Sequence, residues 1–315
     1  MPLHTAIVHY HKTGHDLASL LVHAVHSRLG GSLDVSSESS KRACLCAPIH
    51  CDGPQRIMLW VAPEIWLRDE RGVQPVPSCV GVVHMVRDPA RWALSFYDYH
   101  RQVQQPRDER WVHRYRPRCT LPYKQYQRAL EPYGLTSRLL NATMEACRTL
   151  VWPNRSLHEH LLRLSERDGA RLSALMNVLS GPKLVEAGGD MLRAAVNALT
   201  FRAMSLAVLD WRLDDAMANL NDSMAALAHF LVGTSNHTLA DELASDLVHA
   251  EQASLSRQKT SKGPKHVTSI LSSDERKAAL LASLESDPVL SELFAVFRRA
   301  LAASPSVPLR ETDSR

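Results

Sequence analysis

The sequence predicts an α/β fold, a three-layer arrangement with a central parallel sheet and a large helical complement. Three observations carry this. Short, continuous apolar runs recur through the first third of the chain, the pattern of strands buried on both faces. Segments with apolar residues at helical spacing separate them, as crossover helices do. Beyond about residue 135 the spacing is almost entirely helical. The composition agrees: 315 residues, 45% hydrophobic and 22% charged, with 13 glycines and 17 prolines, excludes disordered and collagen-like classes. It also leaves ample chain to bury a core.

The elements follow in order. Residues 5–10 (TAIVHY) read as a strand, and a glycine turn at Gly14 leads into Leu17, Leu20, Leu21 and Val25, the stripe of an amphipathic helix. Residues 32–56 carry Ser, Cys and Pro without a period and read as a loop. Two further strands are expected at 57–62 (IMLWVA) and 79–86 (CVGVVHMV). The second meets Arg87-Asp88-Pro89, where proline suits a helix start, and Trp92, Leu94, Phe96 and Tyr99 continue that helix. Helices are expected at 157–179, 191–203 and 214–232, the last closed by Gly233, with a short strand at 205–211. A Ser/Lys/Gly stretch at 256–269 interrupts the helices before a final pair ending near 303. Residues 1–303 are expected to form one domain, and 304–315 a frayed tail.

Lys and Arg number 37 against 33 Asp and Glu, a net charge of +4. That excess permits an anionic ligand and is too small to indicate a nucleic-acid binder. No 18-residue uncharged apolar run occurs, so no membrane span is expected, and no secretory signal is read at the start of the sequence. A cytoplasmic location is therefore expected, or a luminal one if the start is truncated. Six cysteines are too few for a disulfide scaffold. Cys44, Cys46 and Cys51 cluster beside His50 but lack a second ligand pair at zinc-like spacing, so they read as free thiols in a loop. N-x-[ST] sequons at Asn141, Asn154, Asn221 and Asn236 read as accidents of a Ser-rich chain.

Chemistry could reside in three places. The first is 9–16 (HYHKTGHD), a strand-to-helix turn where glycine lets the backbone close around a ligand. Helix N–H groups and Lys12 would then face an anion. It is not a Walker A loop, since position 9 is His where that pattern needs Gly, and the competing explanation is an ordinary turn with a solvated lysine. His9 and His11 share a strand face, but without a third ligand no metal is expected. The second is 86–97, where Arg87 ends a buried strand and Ser95 follows two helical turns later. An arginine so placed needs an anionic partner, either a ligand or an Asp capping the helix. The third is 259–266 (KTSKGPKH), basic and glycine-bearing, with a solvated linker as its competing explanation.

Together these segments resemble the sulfotransferase superfamily. VVHMVRDPARWALSFYDYHR is similar to the family's strand-and-helix segment with its R-[DN]-P…S pairing, and SKGPKH is similar to the late loop of the heparan-modifying branch. The resemblance runs from residue 5 to about 297, strong at both ends and weak between. It implies a P-loop-like turn, with Lys12, Thr13, Gly14, His15 and Asp16 holding the 5′-phosphosulfate of 3′-phosphoadenylyl sulfate (PAPS). Arg87 and Ser95 would hold the 3′-phosphate, and Lys262 and Gly263 would close over it. The activity implied is transfer of a sulfuryl group to an alcohol, with PAPS as co-substrate and no metal. Lys12 would stabilise the transferring group, and Glu64 in LWVAPEIW, or His15, would act as general base.

Two other readings stay open: a nucleotide-dependent phosphotransferase, and a non-catalytic nucleotide-binding protein on the same fold. The acceptor, whether carbohydrate, lipid or small metabolite, and the oligomeric state are not written in the sequence. The 101–118 segment, with Arg101, Arg107, Arg110, Arg114, Arg116 and Arg118 around Trp111 and Tyr115, suits an anionic or ring-bearing acceptor, a nucleic acid, or a loop of solvated arginines beside the active site.

Overall fold

The computed structural model describes residues 4–10, 13, 15–35, 51–52, 56–61, 79–102, 110–122, 124–179, 189–204, 206–232, 236–260 and 273–303. In chain order the elements are β1 (His4–His9), α1 (His15–Leu29), β2 (Ser32–Val35), β3 (Arg56–Val61), β4 (Val80–Val86), α2 (Pro89–Gln102) and α3 (Arg110–Arg114). They continue as α4 (Lys124–Leu130), α5 (Ser137–Arg148), α6 (Leu157–Arg163), α7 (Glu166–Leu179) and α8 (Asp190–Ala203). The last are β5 (Ala207–Arg212), α9 (Leu213–Ala218), α10 (Leu220–Val232), α11 (His237–Thr260), α12 (Asp274–Ser286) and α13 (Pro288–Ala302). Two compact units divide the chain: Met1–Arg87 with Asn197–Lys265 and Ser304–Arg315, and Asp88–Val196 with His266–Ala303.

The first unit holds a five-stranded, wholly parallel sheet in the order β2-β3-β1-β4-β5. Every residue of β1 and β4 is buried, which is why these strands read as unbroken apolar runs. Side chains alternate between the faces. On one face Ile7, Ile57, Leu59, Val83, Met85 and Trp211 pack against α1, α10 and α11. Leu17, Leu21 and Val25 of α1 and Ala240, Leu243 and Leu247 of α11 supply the helical side of that core at the spacing of one helix face. On the other face the stretch of α8 from Asn197 covers β4 and β5, with Phe201 edge-on to His84, ring centroids 5.5 Å apart. Helix, sheet and helix make the three layers.

The second unit is helical. Several of its helices begin at polar caps: Ser156 and Glu159 form a reciprocal capping box on α6, and the Asp287 side chain accepts from Val289 and Leu290 N–H, both at 3.0 Å, at the start of α13.

Four expectations need correction. Residues 32–35 form strand β2 rather than loop, a segment too short for its alternation to stand out. The single helix expected over 157–179 is two, because Ser165 caps α7 by accepting from Asp168 N–H at 3.1 Å. The helix expected over 214–232 is also two, parted at Asn219, whose φ of −131° and ψ of 61° leave the helical region. Helix α11 reaches Thr260, so it takes in the first part of the expected 256–269 interruption. Residues 261–269, Gly233 and 304–315 lie outside the described residues.

The cysteines are the largest departure. Cys51 is bonded to Cys79, and Cys119 to Cys147, each pair 28 residues apart, so Cys51 is not the free thiol expected. Loop-closure entropy puts each bridge at about 3–4 kcal/mol. Spacing alone could not reveal the pairs, since cysteine connectivity is set by which loops the fold brings together.

Candidate functional site

Strands β1 and β4 are hydrogen-bonded neighbours, with Val8 opposite His84, so the turn after His9 and the turn after Val86 leave the same carboxyl edge side by side. From β1 the chain goes on to β2, beyond β3; from β4 it goes on to β5 on the opposite side. The connections part between β1 and β4, and open α/β sheets bind ligands at such a switch point.

The turn after β1 is closed by Thr13, which is fully buried. Its hydroxyl accepts from Tyr10 N–H at 2.7 Å and donates to Tyr10 C=O at 2.9 Å, and its own N–H donates to the same carbonyl at 3.1 Å. Three local bonds therefore curl the backbone just before α1 begins at His15. The first N–H groups of α1, from His15 and Asp16 onward, lie at the positive end of the helix dipole.

Behind the turn lies a buried polar network that the sequence reading did not single out. The Tyr10 hydroxyl lies 3.0 Å from His84 Nε2 and receives the Asn197 side-chain N–H at 2.8 Å. His84 Nδ1 lies 2.9 Å from Asp210 Oδ1, and Arg202 donates to Asp210 Oδ2. With Nδ1–H donating to Asp210, Nε2 accepts from Tyr10, and each hydrogen bond has one donor and one acceptor. Burial acts to raise the Asp210 carboxyl, but the hydrogen bonds from His84 and Arg202 and the Arg202 charge outweigh it and hold the carboxyl below its ordinary range. Tyr10 is fully buried, so this network positions the turn rather than touching a ligand. Its only trace in the sequence is one polar residue inside each of two apolar strands, His84 in VGVVHMV and Asp210 in AVLDWR.

The arginine that ends β4 is committed in part. Arg87 Nε donates to Asp214 Oδ1 at 3.0 Å, while its terminal nitrogens make no other hydrogen bond among the described residues. Asp88 takes a separate role, capping α2 through Ala90 and Arg91 N–H at 3.0 and 3.3 Å and pairing with Arg298 at 2.8 Å. The adjacent Arg and Asp thus do not pair with each other. Ser95 is half-buried on α2, in the second unit. Lys12, Gly14, Glu64, Lys262 and Gly263 lie outside the described residues, as do the side chains of His15 and Asp16. In the basic segment, Arg101 bonds the Tyr97 hydroxyl and lies 3.5 Å from Glu166.

Comparison with protein-family models, curated proteins and solved structures finds no match to this chain. Among the described residues no group of three His, Cys, Asp or Glu is placed to hold a metal ion, and no helix is long and apolar enough to cross a membrane.

Proposed function

We propose that this chain is an enzyme that transfers a sulfuryl group from PAPS to an acceptor hydroxyl. The observation that carries the reading is the adjacency of β1 and β4: the turn closed by Thr13 and the strand end bearing Arg87 share one carboxyl edge at the switch point. A helix N-terminus and an arginine side by side would suit a ligand with two phosphate-type groups. The terminal nitrogens of Arg87 are available for the 3′-phosphate, with Asp214 fixing the guanidinium plane. The sequence resemblance adds Ser95, Lys262 and Gly263 to that group.

In the reaction, the acceptor oxygen forms a bond to sulfur as the bond from sulfur to the bridging oxygen breaks. The acceptor proton passes to the base, Glu64 or His15, and adenosine 3′,5′-bisphosphate leaves. Lys12 and the α1 N–H groups would offset the charge developing on the bridging oxygen.

The two disulfides favour an oxidising compartment over the cytoplasm, because such bonds rarely persist under cytosolic reduction. All four sequon asparagines, Asn141, Asn154, Asn221 and Asn236, are exposed, which agrees with the luminal alternative.

Calorimetric titration with adenosine 3′,5′-bisphosphate tests the reading. Micromolar binding, weakened by about 2–4 kcal/mol in Arg87→Ala and also weakened in Lys12→Ala, is the expected result. Absence of binding, with ATP and magnesium bound instead, would replace it with a phosphotransferase.

A further inference from the structure

The second unit contains a cavity of about 430 Å³ that the sulfuryl-transfer reading does not use. Four arginines line it, Arg116, Arg118, Arg148 and Arg155, together with Trp152. Arg148 pairs with Glu145 at 2.7 Å and Arg155 with Glu159 at 3.3 Å. Glu159 is further engaged by Ser156, whose N–H donates to it at 2.7 Å. Arg116 and Arg118 are exposed and have no carboxylate partner among the described residues. Two of the four guanidiniums are thus paired with carboxylates and two are not, and an anionic guest would offset that excess.

The backbone supplies an independent observation. Cys119, at φ 48°, and Asn154, at φ 63°, are the non-glycine residues in the left-handed region among the described residues, and both line this cavity. Such a conformation costs on the order of 1–3 kcal/mol for a residue like Cys and persists only where surrounding bonds over-determine it. Here the Cys119–Cys147 disulfide and the bond from Leu157 N–H to Tyr115 C=O, at 2.8 Å, do so. Strain of this kind concentrates where a loop is shaped for a ligand.

Trp152 gives the third feature. It is 44% exposed at the cavity and stacks, at 5.3 Å and 21°, on His160, which is fully buried with neither ring nitrogen hydrogen-bonded. A large indole held from behind by a rigid ring offers a stacking surface at little entropic cost. One exposed aromatic is too few for a run of stacked bases, and the net charge of +4 is small for a nucleic-acid surface.

We infer that this cavity binds a compact polyanion carried on a small ring, with two or more sulfate or phosphate groups paired by Arg116 and Arg118 and the ring stacked on Trp152. The inference stands apart from the sulfuryl-transfer reading, because none of these residues belongs to the sheet edge.

The experiment titrates the oxidised 315-residue chain with sucrose octasulfate and, separately, with inositol hexakisphosphate, following heat and tryptophan emission. One-to-one binding of at least one probe is expected, and which of them binds tighter distinguishes sulfate from phosphate as the natural group. Arg116→Ala and Arg118→Ala should each weaken it about tenfold, and Trp152→Ala should weaken it and remove the emission change. Arg163→Ala, an exposed arginine of α6 outside the cavity, should change nothing, and none of these variants should alter affinity for adenosine 3′,5′-bisphosphate. Absence of binding by both probes overturns the proposal, as does a loss in Arg116→Ala no larger than in Arg163→Ala. Tighter binding of a thymidine oligonucleotide, lost in the same variants, overturns it in favour of a nucleic-acid interface.

Discussion

The carboxyl edge of the sheet and the arginine cavity of the helical unit both gather charge, and they treat it in opposite ways. Behind the sheet edge His84, Asp210 and Arg202 are close to buried and are matched to one another, with Tyr10 and Asn197 completing the set. At the cavity Arg116 and Arg118 stand exposed without a carboxylate partner among the described residues. The difference follows from solvation. A buried ion loses its water and must find its partner inside the protein, where it fixes geometry, whereas an exposed guanidinium keeps its water and can exchange it for a ligand. Charge that builds a site and charge that uses one can thus be told apart by whether the protein has already answered it.

The largest effect expected of breaking this contrast is on the buried side. Asp210→Ala removes the acceptor shared by His84 and Arg202 and should cost about 3–5 kcal/mol of stability, read by chemical denaturation. Arg116→Ala should leave the same transition within about 0.5 kcal/mol, as an exposed position does. Equal losses in the two variants would erase the distinction.

Next in size is the covalent frame of the cavity. Replacing Cys119 and Cys147 together by Ser should lower stability by about 3–4 kcal/mol, and it should weaken polyanion binding because Cys119 is freed to leave its left-handed conformation. Retained affinity in the folded variant would mean that the loop keeps its shape without the bridge.

The smallest effects are in pH. Burial pushes the His160 imidazole below its ordinary range, so the folded form resists a proton that the unfolded chain accepts near pH 6.5. Stability should therefore fall as pH drops below about 6.5 and stop falling once the folded pKa is passed, and His160→Gln should flatten that slope. Asp210, held low, acts in a separate window: its contribution is complete above about pH 4 and is lost as pH falls through its folded value. Denaturant midpoints of wild type and the two variants across pH 3–7 separate the windows.

What could be read in advance divides along the same physical line. The apolar runs ending near Tyr10, Ala62 and Val86, the proline start of α2 and the 3.6-residue stripe of α1 are local patterns, and they placed β1, β3, β4 and the first helices correctly. Thr13 was legible as part of a turn because its bonds reach only three residues back, to Tyr10. Segments whose ends depend on a single cap, at Ser165 and Asn219, were merged, since apolar spacing continues across both breaks.

The amino-acid sequence by itself determined the α/β class, the order of its principal elements and the place of the turn after β1, because hydrophobic period and local hydrogen bonding act over a few residues. Tertiary structure alone decided the rest. The pairing of His84 with Asp210 spans 126 residues and that of Arg87 with Asp214 spans 127, and no local pattern selects either. The two disulfides, the strand order that sets β1 beside β4, and the meeting of Arg116, Arg118 and Trp152 around one cavity are decided likewise. Each exists because packing the whole chain brings distant groups within bonding distance, where burial then makes an unmatched charge or polar group too costly to leave.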